Sequence, residues 1–238
     1  MIIEGALSVK AALKHQKRDI HRVCISQNKH SRDIEYIKHL CYKDNIEIIL
    51  TDKKTIDSMT IGKTHGGIIA EVSHRKYEDP AMIQNGNVLL VEGVEDPYNL
   101  GMMLRTCAAA GFKAVITNDR HYQDSEAIIL KASAGASESL IWIRSHDMKT
   151  MLLDLHKKGY EVISALRSDT SVPYDEHRYV KNTCLCIGGE KRGLSRDVIE
   201  SSDGFVHIIY QSDVKVALSA VSATAVIAFE MVRQARDR

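Results

Sequence analysis

The stretch VEGVEDPYNLGMMLRTCAAAGFKAVIT, residues 91–117, decides how the chain is read. The apolar run Val88–Glu92 leads into it, and Asp96-Pro97 makes a turn. Residues 100–110 then have a helical composition, and Gly111 stands where a C′ glycine ends a helix. Asn99 falls where an N-cap is needed if that helix begins near Leu100. Residues 114–117 (AVIT) are apolar again and read as the next strand.

The same alternation continues downstream. Strand-like runs fall at 140–143, 161–165, 184–187 and 205–209, with helical stretches at 125–134, 148–157, 196–201 and from about 217 to 236. Continuous Val/Ile/Leu strands between helices imply an α/β fold, a mostly parallel sheet covered on both faces. Ligands in such sheets sit beyond the carboxyl ends of the strands, so the loops after Glu92, Ala165, Ile187 and Ile209 are where chemistry is expected.

Upstream the pattern is weaker. Residues 8–14 read as a helix with Ser8 as its cap, 22–26 as a strand and 33–43 as an amphipathic helix. Residues 46–50 read as a strand, 55–60 as a short helix and 67–72 as a closing strand. This implies a small N-terminal α/β sandwich. Charge, Pro80 and the Gln84-Asn85-Gly86-Asn87 cluster break the pattern, dividing the chain into 1–75, a linker at 76–87, and 88–238.

Composition narrows the class. With 238 residues, 44% apolar and 26% charged, and a net charge of +1, the chain is neither a histone-like polycation nor an acidic tail. Residues 1–80 are +3 and the remainder −2. No apolar run reaches the roughly 18 to 20 residues of a membrane span, and the first residues lack the pattern of a secretory signal. The five cysteines are odd in number and include no Cys-x-x-Cys, so reduced thiols in a cytoplasmic protein are expected. Cys184 and Cys186 are expected on opposite faces of their strand. The 11 histidines show no metal-ligand spacing, and no metal is expected.

Three constellations carry chemistry. Arg105 has Gly101, Met102, Ala108 and Ala109 as its helical neighbours, so its guanidinium must reach solvent, a carboxylate or a bound anion. Gly188-Gly189-Glu190-Lys191-Arg192-Gly193 follows a buried strand, as a ligand loop or a simple turn would, without the signature of a dinucleotide or phosphate loop. Residues 217–228 are dense in Ala, Ser and Thr, which suits close packing of a helix or a ligand at its start.

Taken together, Asn99-x-Gly101-x-x-x-Arg105 with Gly111, Ser133-Ala134-Gly135-Ala136, and Gly188-x-Glu190-x-x-Gly193-Leu194 resemble the motifs of the SPOUT-class RNA 2′-O-ribose methyltransferases of the SpoU/TrmH family. Residues 1–75, with His65-Gly66-Gly67-Ile68, resemble that family's RNA substrate-binding domain more loosely. The resemblance implies a methyltransferase domain over 88–238 with a trefoil knot, an exception to the rule against knots. It further implies a homodimer with a composite active site, and S-adenosylmethionine held by main-chain groups around Gly188, Gly193, Ile209 and Leu218. Arg105 takes the position of the catalytic arginine, with Asn99 and Glu190 shaping the site. The substrate would be structured RNA, ribosomal more than transfer RNA, with Lys17, Arg18, Arg22, Lys29 and Arg32 as phosphate contacts or a solvated surface.

Two departures stand out. The family's last motif usually reads Ser-Leu-Asn-Val-Ser, and here the residues are Ala217-Leu218-Ser219-Ala220-Val221. Lys191 stands where glycine is common. They keep open a different class, an RNA-binding or ribosome-assembly factor of the same fold with little activity.

Overall fold

A computed structural model describes residues 1–60, 64–119, 122–211 and 217–237. The chain separates into two compact units, the first comprising Met1–Lys76 together with a later segment that ends at Ser139.

The first unit is built on a four-stranded mixed sheet. Its strands are β1 (Ile2–Glu4), β2 (Ile20–Ser26), β3 (Glu47–Thr51) and β4 (Ile68–Val72), in the order β1-β4-β2-β3 with only β2 and β3 parallel. Alternation along β2 sends Val23 and Ile25 to one face and Cys24 to the other. On the first face α1 (Ala6–His15) and α2 (Arg32–Lys43) bury Val9, Leu13, Ile34 and Ile37. On the second, α3 (Lys53–Met59) buries Ile56. The helices begin where caps are available: Ser31 accepts the Ile34 N–H and Asp52 the Thr55 N–H. Ser8 caps nothing. It lies inside α1, buried, and Gly5 takes the cap position without a side-chain bond.

The later segment, α5 (Glu126–Ala132) with a short 3-10 turn on either side, packs in this first unit although its residues fall within 88–238. Leu130 joins the apolar core of α1 and α2. Glu138 receives a two-pronged contact from Arg18, at 3.2 and 3.1 Å, and a third bond from Arg75 Nη1 at 3.1 Å. Glu126 accepts from Arg18 Nη1 at 3.0 Å and from the Arg75 main-chain N–H at 2.9 Å. Burial pulls the Arg18 guanidinium down, and Glu138 and Glu126 more than reverse it, leaving it raised and charged. Arg18 is therefore no phosphate contact, and Arg22 is held by Glu71 at 2.7 Å.

The second unit carries a seven-stranded sheet in which every pairing is parallel. Its strands are β5 (Val88–Glu92), β6 (Ala114–Asn118), β7 (Ile141–Ser145), β8 (Glu161–Ala165), β9 (Val172–Pro173), β10 (Thr183–Gly188) and β11 (Gly204–His207), ordered β7-β6-β5-β10-β8-β11-β9. All five residues of β5 are buried, each large aliphatic side chain contributing about 1.5–3 kcal/mol. One face packs Val88, Leu90, Cys184 and Cys186 against Met151, Leu152 and Leu155 of α6 (Met148–Lys157) and Val198 of α7 (Arg196–Glu200). The other faces α8 (Ala220–Arg236), which packs on α4 (Pro97–Ala109).

Cys184 and Cys186 share one face, their sulfurs 4.0 Å apart, because residues two apart in a strand point the same way; the expectation of opposite faces fails on that period. All five cysteines are free and buried. Burial pushes the Cys107 thiol far up and Cys41 to about 11, which leaves neither a nucleophile at neutral pH. Strand order alone does not decide the trefoil knot, and residues 212–216 of the connection from β11 to α8 lie outside the described residues. Among the described residues no helix is long and apolar enough to cross a membrane, and no group of three or more His, Cys, Asp or Glu could hold a metal.

Candidate active site

From β5 the chain moves outward through β6 to β7, then crosses to the far side of β5, where β10 is its neighbour. The carboxyl ends of β5 and β10 thus flank the crevice where the winding reverses, the place for a ligand in an open parallel sheet. Glu92 ends β5. Its carboxylate accepts the Ser195 N–H at 2.6 Å and its carbonyl the Gly189 N–H at 2.6 Å. One residue thereby pins both ends of the loop between β10 and α7.

That loop is folded on itself. Gly193, at φ +64°, donates its N–H to the Gly189 carbonyl at 2.9 Å. A Cβ on Gly188 would lie 2.5 Å from the Gly193 carbonyl carbon, and one on Gly189 would collide with the Gly93 carbonyl. Gly188 is required by the fold of its own loop and Gly189 by contact with the loop at Gly93, reasons that hold whether or not a ligand is near.

Two cavities open at the carboxyl edge. The first, about 440 Å³, lies beyond β8 and β11, lined by Ala165–Arg167, Val206–Ile208 and Tyr210, by Ala217 just before α8, and by Ala223 and Ile227 in its first half. Its wall is mostly aliphatic, with Arg167, His207 and Tyr210 as its polar members. The second, about 540 Å³, is bounded by the turn from Gly93 to Asn99, by Glu190 and Lys191, and by Ala220. Its rim is charged, with Lys191 Nζ 3.4 Å from the Glu95 carboxylate.

The expected site residues distribute over these features unevenly. Asn99 and Glu190 line the second cavity together. Asn99 is not the helix cap: Asp96 is, accepting the Tyr98 and Asn99 N–H groups at 2.7 and 3.3 Å, with Pro97 at the first helical position. The Asp-Pro pair carries that signal in the sequence. The Asn99 side chain is thereby released from capping. Arg105 lies six residues further along α4, about 9 Å down its axis. It is exposed, lines neither cavity, and has no hydrogen-bond or ion-pair partner among the described residues.

Gly188 and Gly193 lie in the pinned loop and line neither cavity. Ile209 and Leu218 are exposed neighbours of Ile208, Tyr210 and Ala217, which do line the first. The Leu218 N–H is donated to the Tyr210 hydroxyl at 2.9 Å. Ser219, where the family motif has asparagine, caps α8 by accepting the Ser222 N–H at 3.2 Å, a task either residue performs. Sequence reasoning passed over Glu92, Asp96 and Tyr210. An acid closing an apolar strand was the available signal for Glu92.

The first cavity suits a nucleoside-sized ligand in volume, and Ala165, Ala217 and Ala223 keep it open where larger side chains would fill it. The second offers three carboxylates, an amide and an ammonium to a polar ligand.

Residues 86–229 match the SpoU rRNA Methylase family, and residues 2–78 match the family described as RNA 2′-O ribose methyltransferase substrate binding. Among curated proteins, the 23S rRNA (guanosine-2′-O-)-methyltransferase RlmB of Haemophilus influenzae is 28% identical over 98% of this chain and 97% of its own. The protein of the same name from Escherichia coli K12 is 27% identical over 98% of each. Among solved structures, the SpoU methyltransferase AviRb from Streptomyces viridochromogenes, in complex with AdoMet, has a TM-score of 0.80 at 17% identity, covering 99% of this chain and 90% of that one. A crystal structure of an RNA 2′-O ribose methyltransferase, also at TM-score 0.80, is 19% identical over 99% and 89%. These neighbours share the fold, and the match over 86–229 shows that the chain belongs to the SpoU rRNA methylase family.

Proposed function

We propose that this chain methylates the 2′-hydroxyl of a ribose in 23S ribosomal RNA, with S-adenosylmethionine in the first cavity and the target nucleotide in the second. The family makes it a methyltransferase of the EC 2.1.1 class. The observation that carries the assignment of cavities is their contrast: one mostly aliphatic and nucleoside-sized, with Arg167, His207 and Tyr210 as its polar members, the other rimmed by Asn99, Lys191 and the acids Glu95, Asp96 and Glu190. Residues around Ile208, Tyr210 and Ala217 would hold the adenosyl group, while the Gly188–Gly193 loop gives Glu190 and Lys191 to the second cavity. When bound, S-adenosylmethionine supplies an electrophilic methyl group.

The chain's own part is to position and activate a hydroxyl. The methyl would pass from the sulfonium sulfur to the ribose oxygen, leaving a thioether, and the 2′-hydroxyl proton would pass to solvent. Positioning the hydroxyl in line lowers the barrier most. Asn99 and Glu190 orient the ribose. The Arg105 guanidinium stabilises the developing alkoxide and holds the adjacent phosphate.

Arg105 lies outside both cavities of its own chain, which fits a homodimer in which it serves the partner subunit's site. Tyr98 and Met102 on α4 and Phe229 on α8, each about half exposed, support that apposition. Residues 1–75, with the α5 segment packed in their unit, serve as the RNA-binding domain, 76–87 as linker and the rest of 88–238 as the catalytic domain. Work on ribosomal RNA and the five free thiols fit a cytoplasmic setting.

The test is transfer of labelled methyl to 23S rRNA by wild type and Arg105→Ala, with the modified position mapped. Wild-type transfer lost in the variant, with cofactor affinity retained by calorimetry, supports the reading. RNA binding without cofactor binding would mark an assembly factor instead.

A further inference from the structure

The first unit holds a cavity of about 290 Å³ that the methyl-transfer site does not use. It is lined by Ser26, Asn28, Lys29, Lys53 and the His65-Gly66-Gly67 turn. His65 is fully buried, its Nε2 2.7 Å from Asp57 Oδ1 and its Nδ1 accepting the Gly67 N–H at 3.1 Å. With Nδ1 an acceptor, the proton sits on Nε2 and goes to Asp57, so the ring has no valence left for a ligand. It holds the turn. Gly67, at φ +82°, accepts the Ser26 N–H at 2.8 Å, and a Cβ there would press within 3.3 Å of Ser26 Cβ and 3.7 Å of Lys29 Cδ. The turn stays bare beside Lys29 because only glycine fits.

The charges of this cavity are unbalanced. Lys10, Lys38, Lys76 and Lys131 of the same unit each sit on a carboxylate at 2.6–2.9 Å. The ammonium groups of Lys29 and Lys53 have no hydrogen-bond or ion-pair partner among the described residues. The nearby acids are committed: Asp57 to His65, and Asp52 to the Thr55 N–H and hydroxyl at 3.0 and 2.9 Å. Among the described residues no carboxylate lines the pocket. Two free cations, a hydroxyl and an amide around bare backbone fit a compact, singly charged, oxygen-rich anion.

We propose that this cavity seats a backbone phosphodiester of the RNA substrate, with Lys29 and Lys53 as its counter-charges and His65 as a positioning residue that keeps the turn in shape. It rests on the reading of the chain as an rRNA methyltransferase. The seat reads no base. It fixes the register of the RNA, the task phosphate contacts perform.

Binding of a 23S rRNA transcript to the full chain, followed from 0.05 to 0.3 M salt, tests it with Lys29→Ala/Lys53→Ala and, as control, Lys54→Ala, an exposed lysine on the same helix outside the cavity. The double variant is expected to flatten the slope of log K against log salt by about one per lysine and to weaken binding roughly ten- to thirtyfold at 0.15 M salt. KM for RNA rises in step while kcat and cofactor affinity hold. An unchanged slope in the double variant, or an equal loss per lysine in Lys54→Ala, overturns the proposal. The slope is read from binding alone, so it decides the seat even if wild type transfers no methyl, which would sink the function reading instead.

Discussion

The first unit removes two guanidinium groups and two carboxylates from water, whereas the second leaves the charges of its candidate site in solvent. Arg18, Arg75, Glu126 and Glu138 are each no more than 4% exposed, and every one is held by another of the four. Arg105, Glu190 and Lys191 are exposed. A buried set of this kind costs several kcal/mol per ion in lost hydration, recovered only while the set is complete. It is suited to fixing structure and unable to greet a ligand. Such exposed charges cost little to keep and stay within reach of a ligand from solvent. Glu92 belongs with the first group although it sits in the second unit: it is buried and committed to the Ser195 amide.

Substitutions sharpen this contrast by shifting stability on one side and rate on the other. Glu138→Ala is expected to have the largest effect, about 3–5 kcal/mol of lost stability in denaturant melts, since it strands two buried cations. A loss under 1 kcal/mol would mean that the cluster is hydrated. Arg105→Ala is expected to cut kcat about 10²–10³-fold with the melting profile unchanged, the pattern of a transition-state contact. A shifted melt would move Arg105 to the structural group. Glu92→Gln is expected to fall between the two, losing about 1–3 kcal/mol of stability and raising the KM for both ligands as the β10–α7 loop loosens. A change in kcat alone would contradict the pinning role. Asp96→Ala removes a helix cap and is expected to cost about 1 kcal/mol, measured by thermal unfolding.

The parallel sheet was legible because β5 opens with an unbroken Val/Leu run and β6, β8 and β10 each centre on a short apolar run, and such runs have few other places to go. β1 and β9, of three and two residues, leave no period to read. Asn99 and Glu190 were found through a motif, and their shared cavity needed the turn from Gly93 to be folded against the loop at Gly189. Glu126 and Glu138 look like ordinary helix-surface acids in sequence. Their burial depends on arginines more than a hundred residues away for Arg18 and more than fifty for Arg75, a pairing that no local pattern records. Arg18 was misjudged for the same reason.

The borrowed segment has a practical consequence for dissecting the protein. A fragment cut at Lys76 would keep both arginines and discard both of their acids, along with Leu130 from the apolar core. The first unit, read as a separable module from its family match over 2–78, is therefore not one that can be excised by a single cleavage. Its folding waits on chain that is synthesised fifty residues later.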